Sequence, residues 1–214
     1  MARVLIIGAS RGIGLETVKR SLEAGHLVRA FARSAGTIPI DDHRLEKVPG
    51  DALDKMAVAR ALDGVDAVIL TLGVAAGPEM MLKPVTLFSK ATRIIVDAMQ
   101  ETGIRRLMCV TGLGAGNSRG KGGILYSAIF FPLFLKRAYD DKDVQEWIIR
   151  KSRLDWVIAR PGLLTRGPQT GRSQVLTRPE DWRGGIISRA DVADFLVQQI
   201  DDDAYIGQTP LLIS

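Results

Sequence analysis

Val4-Leu-Ile-Ile-Gly8-Ala-Ser10-Arg11-Gly12-Ile13-Gly14 sets an apolar strand directly against a glycine-rich turn. An apolar run without alternation suits a strand buried on both faces, as parallel sheets require. Gly8, Gly12 and Gly14 allow a tight turn and a close approach of bare backbone to a ligand. From Ile13 the apolar positions take helical spacing: Ile13, Val18 and Leu22 lie near one face, and Glu16, Lys19 and Arg20 lie off it. A helix that begins in a glycine gap points free N–H groups into that gap, which makes it an anion site. The spacing Gly-x-x-x-Gly-x-Gly differs from the Gly-x-Gly-x-x-Gly dinucleotide fingerprint. With a strand before it and a helix after it, the turn still predicts a bound nucleotide with its diphosphate at the glycines.

Outward from this turn, strands and helices alternate. Strands are expected at Arg3–Ile7, Leu27–Ala32, Leu45–Val48, Ala67–Leu70, Arg106–Val110 and Trp156–Ala159, with a short edge strand within Pro210 to Ile213. Helical patterns lie between them: Leu53 to Leu62, then Val85, Phe88, Thr92, Ile95 and Met99. Another stripe is Val144, Trp147 and Ile148, and the last runs from Val192 through Phe195 and Leu196 to Ile200. Ser188 and Asp191 form a capping-box-like start for that last helix. Such alternation implies right-handed crossovers and a parallel sheet with helices on both faces. The expectation is an α/β fold: a single doubly wound Rossmann domain over residues 1–214, with strand order 3-2-1-4-5-6. Its ligand would sit beyond the carboxyl ends of the strands, at the switch point beside the first strand. Gly112 to Gly123 holds six glycines in twelve residues and reads as a mobile loop over that site.

Composition excludes several classes. At 214 residues, 46% hydrophobic and 25% charged, the chain reads as an ordinary globular domain. Its only cysteine, Cys109, lies in an apolar stretch and reads as a buried, inert thiol. No secretion signal is evident, and a cytoplasmic location is expected. Net charge is +5, but the basic residues are scattered, without the runs or aromatic interleaving that nucleic-acid binding favours. No nucleic-acid partner and no metal are expected. His26 and His43 have no metal-ligand spacing and read as solvated.

The cofactor is read at the end of the second strand. An acidic residue there would accept from the ribose 2′-hydroxyl of NAD. This chain has Phe31-Ala32-Arg33-Ser34. Arg33 offers a planar fork suited to a 2′-phosphate, and Arg11, inside the glycine turn, offers a second. NADP(H) is therefore expected over NAD(H). Thr71-Leu72-Gly73-Val74 follows the fourth strand, where a glycine lets backbone lie along the ribose and diphosphate.

The glycine turn resembles that of the short-chain dehydrogenase/reductase superfamily. Asp155-Trp156 and Arg160-Pro161-Gly162, with Ser188 to Ala193, resemble its atypical branch: the NmrA-like proteins and the biliverdin reductase B / flavin reductase kind. The resemblance implies that Asp51 and Ala52 meet the adenine and that backbone after Pro161, at Gly162 and Leu163, lies against the nicotinamide. Asp51 also reads as a helix cap.

The superfamily's usual site is a Ser, a Tyr and a Lys four residues after the Tyr. By position the Lys is Lys142, but four residues earlier stands Ala138. Tyr139 is one residue late, about 100° round a helix, and is not expected to substitute in place. The Ser position falls at Thr111-Gly112, where Thr111 can still hydrogen-bond a ligand. Lys142 and Thr111 are therefore the candidate catalytic residues.

With the Tyr missing, alcohol dehydrogenation and sugar epimerisation lose their proton carrier. The expected reaction is hydride transfer from NADPH to a small planar conjugated acceptor: a flavin, a tetrapyrrole or a quinone-like molecule. The alternative is a non-catalytic NADP(H) sensor of the NmrA-like kind. The apolar run Ile124 to Leu135 is open to three readings: a buried helix, an apolar lid suited to an aromatic substrate, or a surface for a homodimer or a membrane face. At 12 residues, with Pro132 inside, it is short of the ~20 needed to span a bilayer. Tyr126 within it reads as a core tyrosine.

Overall fold

The computed structural model describes residues 1–74, 85–118 and 136–214. An eight-stranded sheet runs in the order β3-β2-β1-β4-β5-β6-β10-β8. Its strands are β1 (Arg3–Ile7), β2 (Leu27–Ala32), β3 (Leu45–Pro49), β4 (Ala67–Leu70), β5 (Arg106–Val110), β6 (Asp155–Pro161), β8 (Gln174–Leu176) and β10 (Leu211–Ile213). All pairs are parallel except β10 with β8. Two short parallel strands, β7 (Leu163–Thr165) and β9 (Ile186–Ser188), pair separately. The expected order 3-2-1-4-5-6 is present and continues by two strands. The C-terminal strand is not an edge: it pairs with β6 on one side and β8 on the other.

The sheet separates two cores, and β1 shows why. Val4 and Ile6 point to one face and Leu5 and Ile7 to the other, and all are buried. On the first face pack α1 (Gly12–Glu23) and α5 (Arg189–Gln198), through Val18 and Leu22 against Val192, Phe195 and Leu196. On the second lie α2 (Lys55–Leu62), α3 (Leu87–Thr102) and α4 (Lys136–Lys151). Their apolar contacts include Val58 and Leu62, Ile95 and Met99, and Ile148 and Ile149.

The expected stripe of α4 is corrected. Val144 and Trp147 are 48% and 55% exposed, and only Ile148 of the three is buried. The buried face instead carries Asp141, Gln145 and Glu146. Asp141 accepts from the Phe88 and Ser89 amides at the start of α3, and Gln145 donates to Thr92 Oγ1 at 3.0 Å. These partners sit about fifty residues away in sequence, where periodicity cannot see them.

His26 is also corrected. It is buried, its Nδ1 accepts from the Ala2 amide at 3.2 Å, and burial pulls its pKa below the usual imidazole value. His43 is exposed. The glycine-rich segment after β5 is not a free loop over its described part. Leu113, Ala115 and Ser118 are buried, Gly114 N–H donates to Ser118 Oγ, and Gly116 N–H to Asp143. The run Ile124 to Leu135, with Tyr126, and the rest of that glycine-rich segment lie outside the described residues. No helix among the described residues is long and apolar enough to cross a membrane.

Candidate active site

A cleft of about 470 Å³ opens at the carboxyl ends of the strands, beside the β1/β4 switch point. Ser10, Arg11, Gly12 and Ile13 line one wall with Gly8. Arg33 and Ser34 line the end of β2, and Asp51 and Ala52 the turn after β3. Leu72, Gly73 and Val74 contribute after β4, Thr111 after β5, Lys142 from α4 and Pro161 from β6. Three predicted residues stand outside this lining. Gly14 supports the turn from behind: a Cβ there would overlap the Gly8 carbonyl oxygen, so only glycine lets α1 start this close to β1. Gly162 packs its Cα against the Gly185 carbonyl, and Leu163 is 61% exposed while Leu164 lines the cleft.

The residues present fit a phosphate-rich dinucleotide. No side chain caps α1 at its N-terminus and no acid occupies its first turn, so its free N–H groups and positive dipole end face the cleft. Gly12 has φ +60°, and a Cβ on it would meet nothing closer than Arg189 Nε at 4.0 Å, so the backbone there is bare. The Arg11 and Arg33 side chains are exposed and make no hydrogen bond or ion pair among the described residues. Two unpaired forks at one end of a cleft are suited to a phosphate dianion. The cap of α2 is Asp54, whose Oδ1 accepts from Met56 and Ala57. Among the described residues the Asp51 carboxylate accepts only from Leu53 N–H and keeps acceptor capacity for a ligand.

The other end is built on α4. Lys142 Nζ donates to the Thr111 carbonyl at 2.7 Å and the Val110 carbonyl at 3.4 Å, and lies 4.6 Å from the Phe88 ring centre. Burial pulls its pKa down to about 8, although Cys109, Glu146 and Asp141 act to raise it. The Cys109 thiol is pushed up to about 12 by burial and is inert as expected.

One turn further along α4, Glu146 is a buried carboxylate. Its two oxygens accept from Arg160 Nε at 2.9 Å and Nη2 at 2.6 Å. Arg160 is fully buried, donates a further bond to Asn117 at 2.8 Å and stacks 5.1 Å from the Trp182 ring. Thr111 Oγ1 donates to Glu146 Oε1 at 2.8 Å. A carboxylate with both oxygens on a guanidinium has no proton to offer, so the hydroxyl proton of Thr111 is committed. Thr111 offers a ligand lone pairs only, and among the described residues Lys142 is the side-chain N–H donor at this end.

Ala138 is buried where the usual Tyr would stand. The Tyr139 hydroxyl instead reaches the turn after β5: a Cβ on Gly112 would stand 2.6 Å from it. Its phenol thus occupies the space of a side chain at 112.

Sequence reasoning missed Arg189, Leu164 and Leu87, all lining the cleft. Arg189 lies within the Ser188–Asp191 cap motif. Ser188 Oγ accepts from Asp191 N–H as predicted, but Asp191 does more: it also accepts from Thr170 N–H, Thr170 Oγ1 and Gly171 N–H. Burial raises the Asp191 pKa, and these donations together with that of Ser188 outweigh burial and hold it below the usual range. The motif therefore ties the 166–173 loop to α5 beside the glycine turn.

A model of the NAD(P)H-binding family matches residues 8–203, and the chain belongs to that family. The chain is 31% identical over 205 residues to an uncharacterized chloroplastic protein of Arabidopsis thaliana, At2g34460, covering 92% of this chain and 71% of that one. It is 27% identical to YhfK of Bacillus subtilis, described as an uncharacterized sugar epimerase, over 98% of this chain and 96% of the relative. Among solved structures it is similar to ChuY of Escherichia coli O157:H7, an anaerobilin reductase: TM-score 0.80, 27% identity, 99% of this chain and 96% of that one. The chain is thus an NAD(P)H-binding, Rossmann-type protein.

Proposed function

We propose that the protein is a cytoplasmic, NADPH-dependent reductase that passes a hydride to a planar conjugated acceptor such as a tetrapyrrole, flavin or quinone. The observation that carries this is the substrate end of the cleft: Ala138 stands four residues before Lys142, where a phenol would serve alcohol chemistry, and Lys142 is the N–H donor among the described residues there. Reversible oxidation of a sugar hydroxyl needs a base at that oxygen. A conjugated acceptor needs only a hydride and one proton, and its own ring system spreads the charge. Bound NADPH supplies the hydride; the chain holds the cofactor, excludes water and offers the proton from Lys142 Nζ. The full-length similarity to an anaerobilin reductase supports a tetrapyrrole among these acceptors.

The test is a panel of a linear tetrapyrrole, a flavin and a quinone mixed with protein and NADPH, followed at the nicotinamide absorbance. Turnover is expected with at least one. Tight NADPH binding without turnover would replace the reading with that of a sensor. Arg33→Glu is expected to lower the preference for NADPH over NADH on the order of 10²-fold, because it removes a charge-assisted contact and adds repulsion. Dissociation constants for the two cofactors check this. An unchanged ratio would place the 2′-phosphate elsewhere.

A further inference from the structure

We infer that Arg189 is a ligand of the cofactor's diphosphate, a cation from the far end of the chain that closes the glycine turn. The inference rests on reading the cleft as a dinucleotide site. Arg189 lines that cleft and also a second, more open cavity formed with Gly12, Glu16, Arg20 and Arg166. Its Nε borders the bare backbone of Gly12. Its Nη1 donates to the Thr165 carbonyl at 2.8 Å, which fixes the plane of the fork. Nε and Nη2 make no hydrogen bond among the described residues. One arm anchors the guanidinium, and the others remain for a ligand at the turn.

The surrounding charges favour an anion. Arg189 opens α5, and a cation in the first turn of a helix opposes the helix dipole. The nearest acid in sequence, Asp191, does not compensate it, because its oxygens are spent on Ser188, Thr170 and Gly171. Glu16 is paired with Lys19, and Arg20 with Glu23. No carboxylate among the described residues pairs with Arg189. Arg189 is half-buried, and a cation placed against the dipole with no carboxylate beside it favours a negative ligand. A diphosphate bound at the uncapped start of α1 supplies it from the opposite side. The dinucleotide would then touch both the first turn of the chain and, through Arg189 and Thr165, the strand β7 that leads into the 166–173 loop.

Binding measurements separate this from the parent reading. Titration calorimetry would compare NADP⁺ with 2′-AMP, which keeps the 2′-phosphate and adenine but lacks the diphosphate. Arg189→Gln is expected to weaken NADP⁺ by about 10- to 100-fold, the worth of a hydrogen bond to a charged group, and to leave 2′-AMP within threefold. Arg189→Lys, which keeps the charge without the fork, should fall between, and serves if the Gln variant fails to fold. NADP⁺ binding unchanged in both variants, or equal losses for the two ligands, would overturn the role of Arg189. Failure of the unsubstituted protein to bind either ligand would instead overturn the dinucleotide reading.

Discussion

Lys142→Met is expected to lower kcat for a conjugated acceptor by about 10²-fold, the low end of what a positioned proton donor contributes, and to remove the alkaline limb of the pH profile. Thr111 has its proton committed to Glu146. Lys142 lines the cleft with its ammonium held by two carbonyls and a ring face. Desolvation favours the neutral amine and lowers the pKa to about 8. The protonated form is therefore present below that pH and lost above it. With the unsubstituted protein, kcat/KM should fall as pH rises through about 8; with the Met variant it should be low and flat. Arg at this position holds its proton throughout and should also give a flat profile.

Folding stability carries the opposite sign. The unfolded chain keeps the Lys142 proton up to about 10.5, its ordinary value. Between the two values the unfolded state binds more protons, so this group makes stability rise with pH, and the Met variant loses that slope. Kinetics from pH 6 to 10 and urea unfolding at both ends check the two signs. A Met variant that kept the alkaline fall in kcat/KM would move the proton donor elsewhere.

The cofactor half of the cleft was legible because its signals are local. A strand, a glycine turn and a helix follow within twenty residues, and Arg33 is read from its place at the end of the next strand. The substrate half was less legible because its chemistry is assembled across the sheet. Glu146 is buried through Arg160 and Thr111, which come from β6 and from the turn after β5, and nothing in its own helix marks it. Hydropathy assigned the buried face of α4 to Val144 and Trp147, since apolar residues are the usual core formers. The face that is buried carries polar residues whose partners lie far away in sequence, which no periodicity reports. Tyr139 was judged by its angle on the helix alone, while its ring is long enough to bring the hydroxyl against Gly112. Arg189 sits inside the Ser188–Asp191 cap, whose local role hides the reach of its side chain to the cleft.

The Arg160–Glu146 pair gives the second large effect. Arg160→Met alone is expected to cost about 3–5 kcal/mol, because it leaves the buried Glu146 carboxylate with only the Thr111 hydroxyl and, 3.6 Å away, the exposed Arg150 guanidinium. For a chain of this size that is a fall in Tm on the order of 10 °C. Glu146→Leu alone should cost a similar amount, since it strands a fully buried guanidinium with Asn117 and the Trp182 face. The double variant should recover most of the loss: an ion pair this deep must first offset two desolvation penalties, so its net worth over an apolar pair is small. Strong non-additivity in urea unfolding is the expected signature. Two single variants that each lost under about 1 kcal/mol and simply added would show that water or rearrangement reaches the pair. In the double variant Thr111 has lost its acceptor, so its hydroxyl proton becomes free to point at the ligand. The site then gains a donor without any change in the residues that line the cleft. If acceptor preference shifts towards molecules with a carbonyl or ring nitrogen to receive that bond, the buried pair acts on specificity by setting which way one hydroxyl faces.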